Sequence, residues 1–395
     1  MHQAFRWLHL QEQAVFGWQL ELVQVPAPPF GEKRRAEWLA EKFREIGLED
    51  VMQDEAGNVI GHLRGSRPGI RCVLLSAHMD TVFPAGTVIS PVVDGQRLAA
   101  PGACDNGAGV TGMLAIASAL MDAGLQPGCD VLFIGNVGEE GDGDLRGMRH
   151  IYQHAPWREN IEAHIVLDGA GETVAITQAL GSLRYRVTIT GPGGHSWTDA
   201  GAPNPILLLS RAITRLGMID LPNAPRTTWN AGTIEGGTSV NAIPERATAS
   251  FDLRSTDPAQ LIRLEVELHR AVEDIVIEAN RECSSTRLGN GSAAAQHKGA
   301  RFEIEKVGDR PAGRLPEGSR LTDLLHAVDR QLGLRTETRV ASTDANIPLS
   351  LGVPSLTLGA GGNGGGIHTR NEWYDATGRE LGLRRVLLLL LGATG

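Results

Sequence analysis

The chain has 395 residues, 42% hydrophobic and 21% charged, and 37 basic against 46 acidic side chains give a formal charge of −9. That length exceeds what one hydrophobic core usually fills, so two domains are expected. The acidic balance argues against nucleic acid or an anionic membrane as partner, since both select basic surfaces. Cys72, Cys104, Cys129 and Cys283 show no CxxC spacing and are too few for a disulfide framework. The opening Met1-His2-Gln3-Ala4-Phe5-Arg6 lacks a signal-peptide pattern, and no apolar run reaches bilayer length. A cytoplasmic protein is expected.

In chain order, Gln11 to Gln24 and Glu32 to Ile46 carry helical signals, divided by Pro26-Ala27-Pro28-Pro29-Phe30-Gly31 and closed by Gly47. Val59 to Leu63 and Cys72 to Ala77 read as strands. The second is a short, branched apolar run that leads into His78, Met79 and Asp80. Thr81 to Gly102 is a long connection with Pro and Gly, of the kind that carries function. Asp105-Asn106-Gly107-Ala108-Gly109 opens a helix to about Ala123, and strands follow at Asp130 to Asn136 and Glu162 to Leu167. Strands alternating with helices predict an α/β fold, a mostly parallel sheet flanked by helices.

From Ser182 the pattern changes. Leu183, Tyr185, Val187 and Ile189 alternate with Arg184, Arg186, Thr188 and Thr190, as in a sheet wetted on one face. A helix at Ile206 to Leu216, strands at Thr227 to Ile234 and Ala247 to Leu253, a helix marked by Leu261, Leu264, Leu268, Val272 and Ile275, and a strand at Phe302 to Val307 complete the order βαββαβ. This predicts a ferredoxin-like module, 181–308, inserted into a discontinuous domain of 1–180 and 309–395. A loop from Gly308 to Gly318 leads back to a helix at Leu321–Leu332. Strands near Thr336–Val340 and Pro354–Leu358, a glycine-rich loop and a last helix end the chain.

His78 and Asp80 are two apart on an extended segment and share a face, so Asp80 can orient the ring while a ring nitrogen binds metal. Glu139-Glu140 and Asp168 fall at the carboxyl ends of predicted strands, Asp105 in a loop entering a helix, and His368 beyond strand Pro354–Leu358. Ligands of open α/β sheets bind at that edge. Imidazoles with carboxylates suit borderline and hard divalent ions, and hydrolases often hold a pair of ions about 3.5–4 Å apart. Adjacent side chains diverge, so one glutamate of the pair can hold metal while the other faces water as general base. Singly, each group has an ordinary reading: a solvated acidic loop at Glu139-Glu140, a turn at Asp168, a helix cap at Asp105, a flexible glycine loop, a satisfied core histidine at His78. Convergence on one edge favours a metal centre. His150, His154 and His164 read as structural or surface residues.

The chain resembles, over nearly its whole length, the co-catalytic zinc exopeptidases and deacylases that include peptidase T, carboxypeptidase G, acetylornithine deacetylase and aminoacylase. The blocks that carry the resemblance are Ser76-Ala77-His78-Met79-Asp80-Thr81-Val82, Ala100-Pro101-Gly102-Ala103-Cys104-Asp105-Asn106-Gly107, Gly138-Glu139-Glu140-Gly141 and Leu167-Asp168-Gly169. Gly191-Pro192-Gly193-Gly194-His195-Ser196, Gly237-Thr238-Ser239-Val240-Asn241-Ala242-Ile243-Pro244 and His368-Thr369-Arg370-Asn371-Glu372-Trp373 continue it. The resemblance implies that Asp105 bridges two divalent ions, zinc before cobalt or manganese. His78 and Asp168 would complete one site, Glu140 and His368 the other, with Glu139 as catalytic base and Asp80 behind His78. It also implies a cis Asp105–Asn106 peptide.

The inserted module looks like the family's dimerisation or lid domain. His195 would reach a partner subunit's site in a homodimer and steady the oxyanion. Asn241 and Arg254 match positions that bind the substrate's carboxylate; from its strand alone, Arg254 is either such a fork or an exposed strand-end arginine. Asp168, where some relatives have glutamate, suggests the peptidase T or aminoacylase side more than carboxypeptidase G, the Pro26–Gly31 segment and the Glu372-Trp373-Tyr374 ending look similar to peptidase T-like members, and Cys104 reads as a small packing residue. The expected activity is hydrolysis of an amide bond in a small peptide, of aminopeptidase, tripeptidase or dipeptidase type. N-acyl amino acid deacylation shares every catalytic residue, and a catalytically inactive ligand-binding relative is the reading of a different class.

Overall fold

Every side chain of the strand Cys72–His78 is buried, as in a strand covered on both faces. Val73, Leu75 and Ala77 enter the larger core with Val110, Met113 and Leu114 of the helix Gly107–Asp122. Cys72 and Leu74 enter a smaller one with Met148 and Ile151 of the helix Arg146–His154. The period of two thus accounts for the unbroken apolar run: alternate residues serve helices on opposite faces.

The computed structural model describes residues 1–286 and 299–395, which divide into Met1–Ala179 with Gly313–Gly395, and Leu180–Ala312. The first unit is built on a mixed sheet whose order begins Glu49–Gln53, Val59–Leu63, Asp130–Asn136, Cys72–His78, Ile161–Leu167, Ser355–Leu358 and Val174–Ala179. The four strands from Asp130–Asn136 to Ser355–Leu358 run parallel, and the strands outside them on either side join antiparallel. All four parallel strands therefore end at one edge, where His78, Asn136, Leu167 and Leu358 are their last residues.

Several local elements differ from the sequence expectation. A helix His2–Leu10 precedes Glu12–Val23, the break falling at Gln11, and Trp7 stacks on Trp18 with ring centroids 6.4 Å apart. The helix Arg146–His154 buries only Gly147, Met148 and Ile151, too narrow a stripe to stand out after an acidic loop. The strand Val174–Ala179 pairs with Ser355–Leu358, Gly313–Arg314 and Glu337–Ala341. Within the long Thr81–Gly102 connection, Val92–Asp94 and Arg97–Ala99 form a hairpin that takes up Trp373–Asp375 and Asn363–Gly365. The expected 308–318 loop is shortened because strand Arg301–Arg310 continues into it. The glycine run before His368 is closely packed: a Cβ at Gly359 would meet the Ala170 carbonyl, and one at Gly364 the Cys104 sulfur.

The second unit has the order βαββαβ. Its antiparallel sheet runs Thr227–Gly236, Arg246–Ser255, Gly181–Thr190, Arg301–Arg310, with helices Pro205–Leu216 and Pro258–Thr286 between the strands in sequence. Leu183, Tyr185, Val187 and Ile189 join a core with Leu208, Leu209, Leu264 and Leu268. This is the ferredoxin-like topology. Among the described residues, no helix is long and apolar enough to cross a membrane.

His164 is a buried core residue, hydrogen-bonded to Ser76 Oγ at 2.8 Å and Tyr152 Oη at 3.0 Å. Burial pushes its pKa from 6.5 down to about 3, so the folded ring stays neutral. Below pH 6.5 the unfolded chain binds a proton that the folded one does not, and stability falls with pH by about 1.4 kcal/mol per unit from this group. In urea unfolding of the metal-free protein between pH 6.5 and 4.5, wild type is expected to lose stability relative to His164→Gln by about this slope as the pH falls. Parallel pH dependences for the two proteins would contradict the assignment.

Candidate metal centre

At the carboxyl edge of the parallel strands, Asp105 Oδ1 lies 3.1 Å from His78 Nε2, which is itself 3.8 Å from Asp168 Oδ1. Asp105 Oδ2 lies 3.1 Å from His368 Nε2, which is 3.1 Å from Glu140 Oε1. Two clusters of three, His78–Asp105–Asp168 and Asp105–Glu140–His368, thus share the Asp105 carboxylate, one oxygen facing each way. All five residues expected as ligands are brought together.

Local structure aims each group. His78 closes its strand, and its Nδ1–H donates to the Asp80 carbonyl at 3.1 Å, so loss of the other ring proton would free the Nε2 lone pair on the Asp105 side. The Asp80 carboxylate is 3.6 Å from His78 Nδ1 and also spans the glutamate pair: Oδ1 accepts Glu139 N–H at 3.0 Å and Oδ2 accepts Glu140 N–H at 2.8 Å. Glu139 and Glu140 are buried, which removes the solvated-loop reading. The Asp105–Asn106 peptide is cis. Asn106 caps the helix Gly107–Asp122 through Gly109 N–H while its Nδ2 donates to the Leu167 carbonyl and its Oδ1 accepts Gly169 N–H. It therefore fastens the Asp105 loop to the strand end that carries Asp168. His368 has φ 64°, a left-handed conformation costing a β-carbon residue about 1–2 kcal/mol, as residues at functional sites often do.

The electrostatics are those of acids crowded around two rings. Burial opposes a charge on His78, but Asp105, Asp168 and Asp80 outweigh it and hold its pKa well above the ordinary value. The bond to Asp105 raises His368 to about 9, and burial followed by the nearby Asp105 charge raises Glu140 to about 7. His78 Nε2 and Asp105 Oδ1 are buried without a hydrogen bond although they lie 3.1 Å apart. That nitrogen and that oxygen, facing each other inside a set of two imidazoles and three carboxylates, offer lone pairs that fit divalent cations. Cys104 stands outside both clusters; burial pushes its thiol up to about 12, and it fills space against Gly364.

His195, Asn241 and Arg254 belong to the second unit. His195 pairs in register with Ala242, and Ser196 N–H donates to the Asn241 carbonyl, so His195 and Asn241 are neighbours. His195 is exposed, and its Nδ1 accepts Trp197 N–H at 3.1 Å, so the tautomer that accepts there carries its proton on Nε2. Arg254 pairs with Asp252 at 2.6 Å near the far end of strand Arg246–Ser255, about 26 Å along the strand from Arg246. Asn241 lies beyond the Arg246 end, so within one chain Asn241 and Arg254 cannot hold the same carboxylate.

Two groups escaped sequence reasoning. Asp344 is fully buried, accepts Asn136 Nδ2 at 2.7 Å and is raised to about 7 by burial. Its only sequence signal is its place just after a predicted strand. Arg35 is buried on the helix Lys33–Ile46 and donates to the Met79 carbonyl at 2.7 Å and the Val25 carbonyl at 2.6 Å, bracing the segment between His78 and Asp80.

Asp80→Ala would leave two buried N–H groups without their charged acceptor. A loss of about 2 kcal/mol or more is expected in urea unfolding of the metal-free protein at pH 7.5. A change below about 0.5 kcal/mol would show that Asp80 does not hold the glutamate loop.

Residues 74–391 match the peptidase family M20/M25/M40. The protein YqjE of Bacillus subtilis is 27% identical over 377 residues, covering 89% of this chain and 91% of that protein. The aminopeptidase PepT of Bacillus cereus superposes with a TM-score of 0.75 at 21% identity, over 97% of this chain and 99% of that one. A tripeptidase of Staphylococcus aureus gives 0.76 at 23% identity, with the same coverage. With two histidine–carboxylate clusters sharing one aspartate inside the matched span, the chain belongs to the peptidase family M20/M25/M40 and is a hydrolase of peptide or amide bonds.

Proposed function

We propose that the protein is a dinuclear-metal exopeptidase acting on small peptides with a free amino terminus. The observation that carries this reading is the two-sided Asp105 carboxylate, 3.1 Å from an imidazole on each side. His78 and Asp168 would hold one ion with Asp105, and Glu140 and His368 the other; zinc suits these donors best, and cobalt and manganese also fit. Bound there, the pair would polarise a scissile carbonyl and lower the pKa of an attacking water.

Glu139, buried beside Glu140 and held at its backbone by Asp80, takes a proton from the attacking water and returns it to the departing amine. The Nε2–H of His195 donates to the developing oxyanion, and Asn241 and Arg254 bind the substrate carboxylate. Because Asn241 and Arg254 lie at opposite ends of their unit, their joint use favours a homodimer in which each site draws His195 and Asn241 from the partner. The inserted unit then serves as dimerisation or lid domain. A cytoplasmic setting accords with four free thiols. N-acyl amino acid deacylation would use the same residues.

Glu139→Gln is expected to retain two ions per chain while turnover falls about 10²–10⁴-fold. Near-normal turnover would reject Glu139 as the base. Assayed side by side, dipeptides and tripeptides with free amines are expected to outpace N-acetyl amino acids; the reverse order would establish the deacylase. Sedimentation is expected to give a dimer, and His195→Ala a large loss of kcat; a fully active monomeric variant would remove both roles.

A further inference from the structure

Strands Arg97–Ala99 and Trp373–Asp375 pair through backbone hydrogen bonds, and the ladder continues one step to Ala100 N–H on the Glu372 carbonyl at 3.0 Å. Beyond it the Asp105 loop turns irregular, with Gly102 at φ 75°. Its N–H groups can no longer meet a neighbouring strand. The Glu372 side chain replaces that strand: Oε1 accepts Cys104 N–H at 2.8 Å and Asp105 N–H at 2.8 Å, and Oε2 accepts Gly102 N–H at 3.0 Å. Glu372 is 1% exposed. Its loss would orphan the buried Gly102 and Cys104 N–H groups and free the part-buried Asp105 N–H.

Glu372 follows His368 by four residues, on the far side of a turn in which Thr369 N–H donates to the Gly366 carbonyl and Glu372 N–H to the Thr369 carbonyl. One side chain thus joins two segments more than 260 residues apart, and those segments carry Asp105 and His368, whose side chains meet at 3.1 Å. A further buried carboxylate beside Asp105 is electrostatically unfavourable. Its presence is explained by three donors that only a doubly accepting group can satisfy together.

We propose that Glu372 is a positioning residue of the metal centre: by clamping the Asp105 loop to the His368 turn, it sets the separation of the shared carboxylate and the second imidazole. The proposal rests on the reading of Asp105 and His368 as ligands. Replacement should therefore change metal binding in folded protein, where a residue needed only for stability would not.

The test is chelator competition with Zn²⁺ and the visible absorption of Co²⁺-loaded protein, for wild type, Glu372→Gln and Glu372→Asp. Glu372→Asp keeps the charge but shortens the reach, and serves if the glutamine variant does not fold. Asp329→Asn, which breaks a buried pair with Arg385 outside both ligand clusters, is the control for destabilisation alone. Wild type and the control are expected to bind two ions with the same constants and spectrum. The Glu372 variants are expected to bind at least one ion about 10–100-fold more weakly, with an altered Co²⁺ spectrum. Unchanged constants and spectrum in folded Glu372 variants would overturn the proposal while leaving the two-ion reading intact. Wild type binding no pair of ions would overturn both.

Discussion

The Asp105 carboxylate has to face two ways, and the surrounding structure is arranged to let it. Burial opposes a charge on Asp105, but the two imidazoles outweigh it and hold its pKa below the ordinary carboxylate range. Here each oxygen meets one imidazole, with a further acid behind each ring. In the metal-free protein, protons on the rings offset the crowded negative charge, and the raised pKa values of His78 and His368 express that balance. Divalent cations would offset it more completely, which ties metal binding to proton release.

The sheet delivers this arrangement because four parallel strands end together. His78 terminates one strand, the segment after Asn136 carries Glu139 and Glu140, Asp168 follows Leu167, and His368 lies beyond Leu358. No loop need be long and self-supporting, since each ligand sits a few residues from a buried strand or is tied back to one. Asp80 holds the glutamate pair, Asn106 joins the Asp105 loop to the Asp168 strand end, and Glu372 joins it to the turn of His368. Arg35 braces Met79 from beneath. Preorganisation of this kind keeps reacting groups in register without a conformational change at the moment of reaction.

Much of this was legible in the residues. Cys72–His78 announces itself by a short, mostly apolar run, and the acids stand out because they follow such runs. The ferredoxin-like order could be read from the change to alternating burial after Ser182. What stayed hidden depends on partners distant in sequence. Val174–Ala179 is a strand because Ser355–Leu358 and Glu337–Ala341 flank it, although its own burial is mixed. Glu372 stood in a recognisable block, yet nothing local indicates that its oxygens collect N–H groups from residues 102–105. Asp344 and Arg35 were silent for the same reason, and the opposite placement of Asn241 and Arg254 emerges only from the strand register.

The central claim is that one aspartate lies between two divalent ions. Crystals of the zinc-reconstituted protein, measured on both sides of the zinc absorption edge, test it most directly. Two anomalous peaks about 3.5–4 Å apart are expected, one beside His78 and Asp168 and the other beside Glu140 and His368, with Asp105 between them. A single peak, or peaks away from Asp105, would contradict the account.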